Sequence, residues 1–210
     1  MGMELAKPLK YALHVIVRPF DGFWDLKHEK RGSLSAAMII LAAWLVIQAF
    51  SYRYMGFTVY IINWEYFNVW RALLTSLIPL LLWCVSNWCF TTLMDGKGSM
   101  KDIFIATCYT LTPYVLINPF LIIISNVITV EEHAFWIFFS IFSTIWFVFL
   151  MLAAMMETHE YSFSKAMLSS LLTIIGIGVM LFLFFIFFSL ISDSVAYFVA
   201  LYKEIVFRFY

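Results

Sequence analysis

The chain has 210 residues, 64% of them hydrophobic and 12% charged, and its thirteen basic and thirteen acidic side chains cancel. This composition excludes a soluble globular domain and describes a membrane protein with several spans. A net charge of zero leaves no overall field to recruit nucleic acid. Cys84, Cys89 and Cys108 fall in apolar segments without the paired spacing of zinc sites, so they read as buried thiols.

Residues 1–33 hold six of the Lys/Arg residues, and Pro8 and Pro19 interrupt the apolar run a signal peptide needs. Lys7, Lys10, His14 and Arg18 recur at helical spacing opposite Leu9, Leu13, Ile16 and Phe20. The pattern predicts an amphipathic helix kinked near Pro19, with Lys7, Lys10 and Arg18 as a basic face towards anionic headgroups. A docking helix for a partner protein is the other reading.

Five apolar stretches, 34–52, 72–94, 103–128, 134–156 and 166–191, are each long enough to span hydrocarbon, and none contains Asp, Glu, Lys, Arg or His. The aromatic linker between the first two reads as a segment lying along the membrane surface; an aromatic shelf for a glycan or partner is the alternative. Asp95-Gly96-Lys97-Gly98-Ser99 forms a tight turn between the second and third spans. It lacks the glycine spacing and the Lys-Ser/Thr pair of a phosphate-binding loop. Ser99 with Asp102 and Thr129 with Glu132 have capping-box spacing and are expected to start the third and fourth spans.

The third span contains Pro113 and Pro119, which cannot donate to the carbonyls of Tyr109 and Val115. Thr110, Thr112 and Asn118 are close enough in sequence to help satisfy the broken ladder. The kink either opens a cavity or groove or improves packing. Between the fourth and fifth spans, Glu157, His159 and Glu160 carry metal-ligating atoms, but position 163 is Phe where a metalloprotease helix would place its second His. The segment reads as a solvated acidic turn. It resembles the Asp95 turn in its order of acid, polar turn, Ser and Lys, and a true duplication would make spans two–three and four–five parallel repeats. Residues 193–210 are more polar and helically periodic, with Glu204 and Arg208 four apart, so a separate interfacial helix is expected.

With the N-terminus inside, the inner side carries Lys7, Lys10, Arg18, Lys27, Lys30, Arg31, Lys97, Lys101 and Lys165, and the outer side Arg53, Arg71, Lys203 and Arg208. The positive-inside rule then places the N-terminus in the cytoplasm and the C-terminus outside.

Residues 94–113 (MDGKGSMKDIFIATCYTLTP) and 159–166 (HEYSFSKA), with five spans after a cytosolic segment, resemble the Yip family of Ypt/Rab-interacting membrane proteins, in a short bacterial-type form. The resemblance implies that Asp95, Gly96, Tyr109, Thr112 and Pro113 match the family signature, with Pro119 a second kink residue. It implies membrane-trafficking adaptors that engage small GTPases and other polytopic proteins. The chain lacks the long Pro/Gly-rich tail of the eukaryotic members, and RPFDGFWDL replaces their acidic segment before the spans.

The expected architecture is an all-α polytopic bundle: an interfacial segment at 1–33, a five-span domain at 34–192 and a C-terminal interfacial helix at 193–210. The function reading is a non-catalytic adaptor or scaffold that uses no cofactor, catalytic residue or metal and binds membrane lipid and another integral membrane protein, with homo-oligomers an option. A small transporter, or an accessory subunit of an ATP-driven one, is the alternative, though no ionisable coupling residue lies at membrane depth. An intramembrane enzyme ranks last, because no His/Asp/Glu cluster lies in the spans. For a bacterial source the location is the cytoplasmic membrane.

Overall fold

The computed structural model describes residues 2–59 and 68–209, and every element among them is an α-helix. The helices are α1 (Gly2–Val17), α2 (Pro19–His28), α3 (Leu34–Tyr54), α4 (Val69–Leu93), α5 (Met100–Thr110), α6 (Thr112–Ser125), α7 (His133–His159) and α8 (Phe163–Phe209). Taken together, α5 and α6 form one span, so the bundle has five segments long and apolar enough to cross a membrane. Residues 60–67 of the aromatic linker expected to lie on the surface fall outside the described residues.

Pro19 produces a break between two helices. Arg18 is pulled out of helical geometry at φ −129° and ψ 78°, and Pro19 opens α2 at a position where its missing N–H costs nothing. The two helices fold against one another so closely that a Cβ on Gly22 would stand 2.9 Å from the Val15 Cα. Tyr11 Oη donates to Asp25 Oδ2 across the pair at 2.7 Å. Lys7, Lys10, His14 and Arg18 are exposed. The apolar side is split: Ala12, Val15, Phe23 and Leu26 enter the protein core against α3, α5 and α7, while Leu13, Val17, Phe20 and Trp24 stay exposed.

Short polar side chains set three of the helix starts. Ser33 Oγ accepts from Ala36 N at α3, and Asn68 Oδ1 accepts from Trp70 N at α4. Ser99 and Asp102 form the full reciprocal box at α5. The second expected box is only half made. Thr129 N donates to Glu132 Oε2, but α7 begins at His133, one residue beyond Glu132, and no side chain caps it.

The third span breaks at Leu111, between α5 and α6. Thr112 Oγ1 donates at 2.6 Å to the carbonyl of Tyr109, the acceptor that Pro113 cannot serve. Thr110 turns instead to Thr107 O. Asn118 makes no side-chain hydrogen bond among the described residues, and α6 continues through Pro119.

The core joins Ile40, Leu41 and Trp44 of α3, Leu80 and Cys84 of α4, Cys108 and Tyr109 of α5, and Leu150 of α7. Cys84 and Cys108 are buried free thiols. Cys89, expected among them, is exposed on α4. The C-terminal segment also departs from expectation. No break separates 193–209 from the fifth span; α8 is one helix of 47 residues, about 70 Å long against a hydrocarbon core of about 30 Å. Ser192, Asp193 and Ser194 are polar, but they contain no helix breaker, and Ser194 Oγ bonds back to Leu190 O. All the buried residues of α8 lie in its first third: Ala166, Ser169, Thr173 and Gly176.

Candidate functional site

The two turns that resemble each other in sequence end their helices in the same way. After α4, Asp95 takes the left-handed conformation at φ 59° and Gly96 N bonds back to Thr91 O at 2.7 Å. After α7, Glu160 does so at φ 55° and Tyr161 N bonds to Met156 O at 2.9 Å. Both are six-to-one helix stops of the Schellman type, with an acidic residue in the place glycine usually takes. The helices beyond also pair reciprocally, α4 packing on α8 and α7 on α5, as an exchange of the two halves would require.

The turns also touch. His159, expected in a solvated acidic turn, is 1% exposed. Room for it comes from the glycines: a Cβ on Gly96 would stand 2.7 Å from His159 Nδ1, and one on Gly98 2.9 Å from its Cε1. Gly98 N donates to Nδ1 at 3.4 Å, so Nε2 carries the proton and donates to Asn87 Oδ1 at 3.1 Å. Asn87 Nδ2 continues to Met155 Sδ at 2.8 Å and Thr173 Oγ1 at 3.4 Å. Beside it, Ser86 Oγ donates to Thr173 O at 2.7 Å. A polar chain thus runs from the turns into the α4–α7–α8 contact with its groups bonded. Tyr161 stacks on His159 at 5.3 Å and donates to Met94 O at 3.2 Å.

Charge closes the outside of this clasp. Glu160 meets Lys27 of α2 at 2.8 Å, Lys97 of the first turn, and His28 at 3.4 Å. Hydrogen bonds from Lys27 and Lys97 hold the Glu160 carboxyl down to about 2. Burial raises the Tyr161 phenol, and the Asp95 charge adds to it. Both His159 nitrogens and the Glu160 carboxylate are committed to protein partners. Among the described residues no three His, Cys, Asp or Glu side chains converge to hold a metal.

The signature residues fall in separate places. Asp95 and Gly96 belong to the clasp. Tyr109, fully buried about 15 Å along the helix from Ser99, donates from Oη to Pro8 O at 3.2 Å and so pins α1 to the third span. Thr112 and Pro113 make the break. Pro119 faces Ile47, Phe50 and Tyr54 of α3. Lys7, Lys10 and Arg18 lie exposed on the surface of α1 and at its end. Sequence reasoning missed Asn87 and Thr173, and it named His159 only as part of a solvated acidic turn. The readable signals were Ser86-Asn87 inside an apolar span and the small residues Ala166, Ser169, Thr173 and Gly176 at three- and four-residue spacing.

The Yip1 domain model matches residues 13–198, most of the chain. The chain belongs to the Yip1-domain family. No curated protein and no solved structure matches it. The two segments that carry the Yip resemblance, 94–113 and 159–166, are the ones the clasp brings together, so in this Yip1-domain protein they build the bundle's turn end. The family match and five apolar helices make it an integral multi-pass membrane protein.

Proposed function

We propose that this Yip1-domain protein is a non-catalytic membrane adaptor that binds another integral membrane protein. The observation that carries the reading is α8. Beyond Gly176 its side chains are almost all exposed, Phe182, Phe185 and Phe188 by 62–66%, and the helix continues well past the length a span needs. A bare helix projecting from a clasped bundle is a surface for a second helix. The committed polar groups of the clasp leave it no obvious nucleophile or base, which supports the non-catalytic reading. The Lys and Arg count supports a cytoplasmic clasp and N-terminus with the end of α8 outside and, for a bacterial source, a place in the cytoplasmic membrane.

The test is affinity purification from native membranes in mild detergent, with crosslinking and mass spectrometry. A stoichiometric membrane protein that is lost when the chain is stopped after Ser192 supports the adaptor. A chain that comes out alone contradicts it. The second reading, a small transporter or an accessory subunit of an ATP-driven one, draws on a cavity of about 770 Å³ among the spans; solute or lipid movement in liposomes holding only this protein would favour it.

A further inference from the structure

That cavity lies between α3, α4, the α5–α6 break, α7 and α8, with Trp44, Trp83, Leu111, Tyr114, Phe147 and Ile174 in its wall. All of its lining residues belong to candidate membrane spans, so it lies at membrane depth. Its volume falls in the range of ligand sites, and its wall is chiefly apolar and aromatic. A second cavity of about 330 Å³ lies towards the end of the bundle opposite the clasp, bounded by Ser51, Tyr52, His133 and Trp136.

Gln48 lines both. It sits six residues, about 9 Å, before the end of α3, and its side-chain amide makes no hydrogen bond among the described residues. A carboxamide offers two donors and an acceptor, and leaving them unpaired at membrane depth is unfavourable. Apolar space on one side of Gln48 and a more polar mouth on the other match an amphiphile whose first polar group lies where the tail ends.

We propose that the two cavities form one lipid site, which takes an acyl chain of a membrane glycerolipid in the larger compartment. The ester carbonyl accepts from the Gln48 amide, and the head lies at the mouth beside Ser51 and His133. The chain would lie against Met167, Ile174 and Ile177 of α8, tying that helix to α3. This site does not depend on the adaptor reading; either can fail alone.

The test is native mass spectrometry of the full chain purified in mild detergent from native membranes, then re-exposed to palmitoyl-oleoyl phosphatidylethanolamine. One lipid per protein should survive detergent stripping. Gln48→Leu, which removes one hydrogen bond and keeps the shape, should cut retention about fivefold. Ser76→Phe, which drives a ring into the cavity, should abolish it. Monodisperse elution separates lost binding from misfolding, and if Ser76→Phe does not fold, Gln48→Leu decides the matter. A wild-type chain without a one-to-one adduct overturns the proposal. So does equal retention by Gln48→Leu, which is annular lipid only, or an extracted isoprenoid with no carbonyl for Gln48.

Discussion

The first third of α8 and the remainder belong to one helix and meet opposite surroundings. Residues 163–176 present Ala166, Ser169, Thr173 and Gly176 to α4, close enough that a Cβ on Gly176 would stand 2.3 Å from the Phe90 ring and 2.4 Å from Ser86 Oγ. Residues 177–209 carry Phe182, Phe184, Phe185, Phe187 and Phe188, each exposed, and the ring contacts of Phe184 with Phe185 and Phe188 stay within α8. In a membrane, apolarity does not select protein contact over lipid contact. Small side chains that let backbones approach, and polar groups that find partners, do.

The largest effect should come from filling the close approach. Gly176→Leu would force α8 away from Phe90 and break the Ser86–Thr173 bond, costing about 3 kcal/mol or more; thermal unfolding in detergent reads it, and a loss under about 1 kcal/mol would mean that α8 is not docked there. Next comes His159→Ala. It opens a void and leaves Asn87 Oδ1 and Gly98 N without their partner, so about 2–3 kcal/mol should be lost in the same measurement.

Thr112→Val keeps the shape but abandons the Tyr109 carbonyl, for about 1 kcal/mol. Glu160→Gln removes the ion pairs to Lys27, His28 and Lys97 and should cost less than Thr112→Val, the loss shrinking with salt. Its pH dependence has a definite sign. The carboxyl is depressed to about 2, so its contribution is complete above the ordinary carboxylate range, near 4, and is lost as pH falls from there through 2. Wild type and Glu160→Gln should therefore converge in stability at acid pH. Smallest of all, stopping the chain after Ser192 should change bundle stability by under about 0.5 kcal/mol, because no residue beyond Gly176 is buried.

The spans, the Ser99 box and the break before Pro113 were legible because each depends on local chemistry: apolar length, a side chain three residues from its acceptor, a missing N–H. What covers a face was not. The spacing of Leu9, Ile16 and Phe20 revealed an apolar side of the N-terminal helix, but only packing shows that Ala12, Val15, Phe23 and Leu26 meet protein while Leu13 and Val17 do not. His159 lies in a polar turn that local sequence alone marks as solvated; Gly96 and Gly98, 61 or more residues away in sequence, make its pocket. The continuity of α8 was missed because Ser192-Asp193-Ser194 is polar, and polarity ends a span without ending a helix. Gln48 carries no charge, and the absence of ionisable residues from the spans says nothing of a neutral amide.

The most direct test places a photo-crosslinking benzoylphenylalanine at Phe187, on the bare part of α8, and in a second protein at Phe90, against Gly176. After irradiation in native membranes, Phe187 should give an adduct with a different membrane protein, and Phe90 should give only links to α8 within the chain. Lipid adducts alone at Phe187, or adducts only with copies of this chain, would contradict the adaptor.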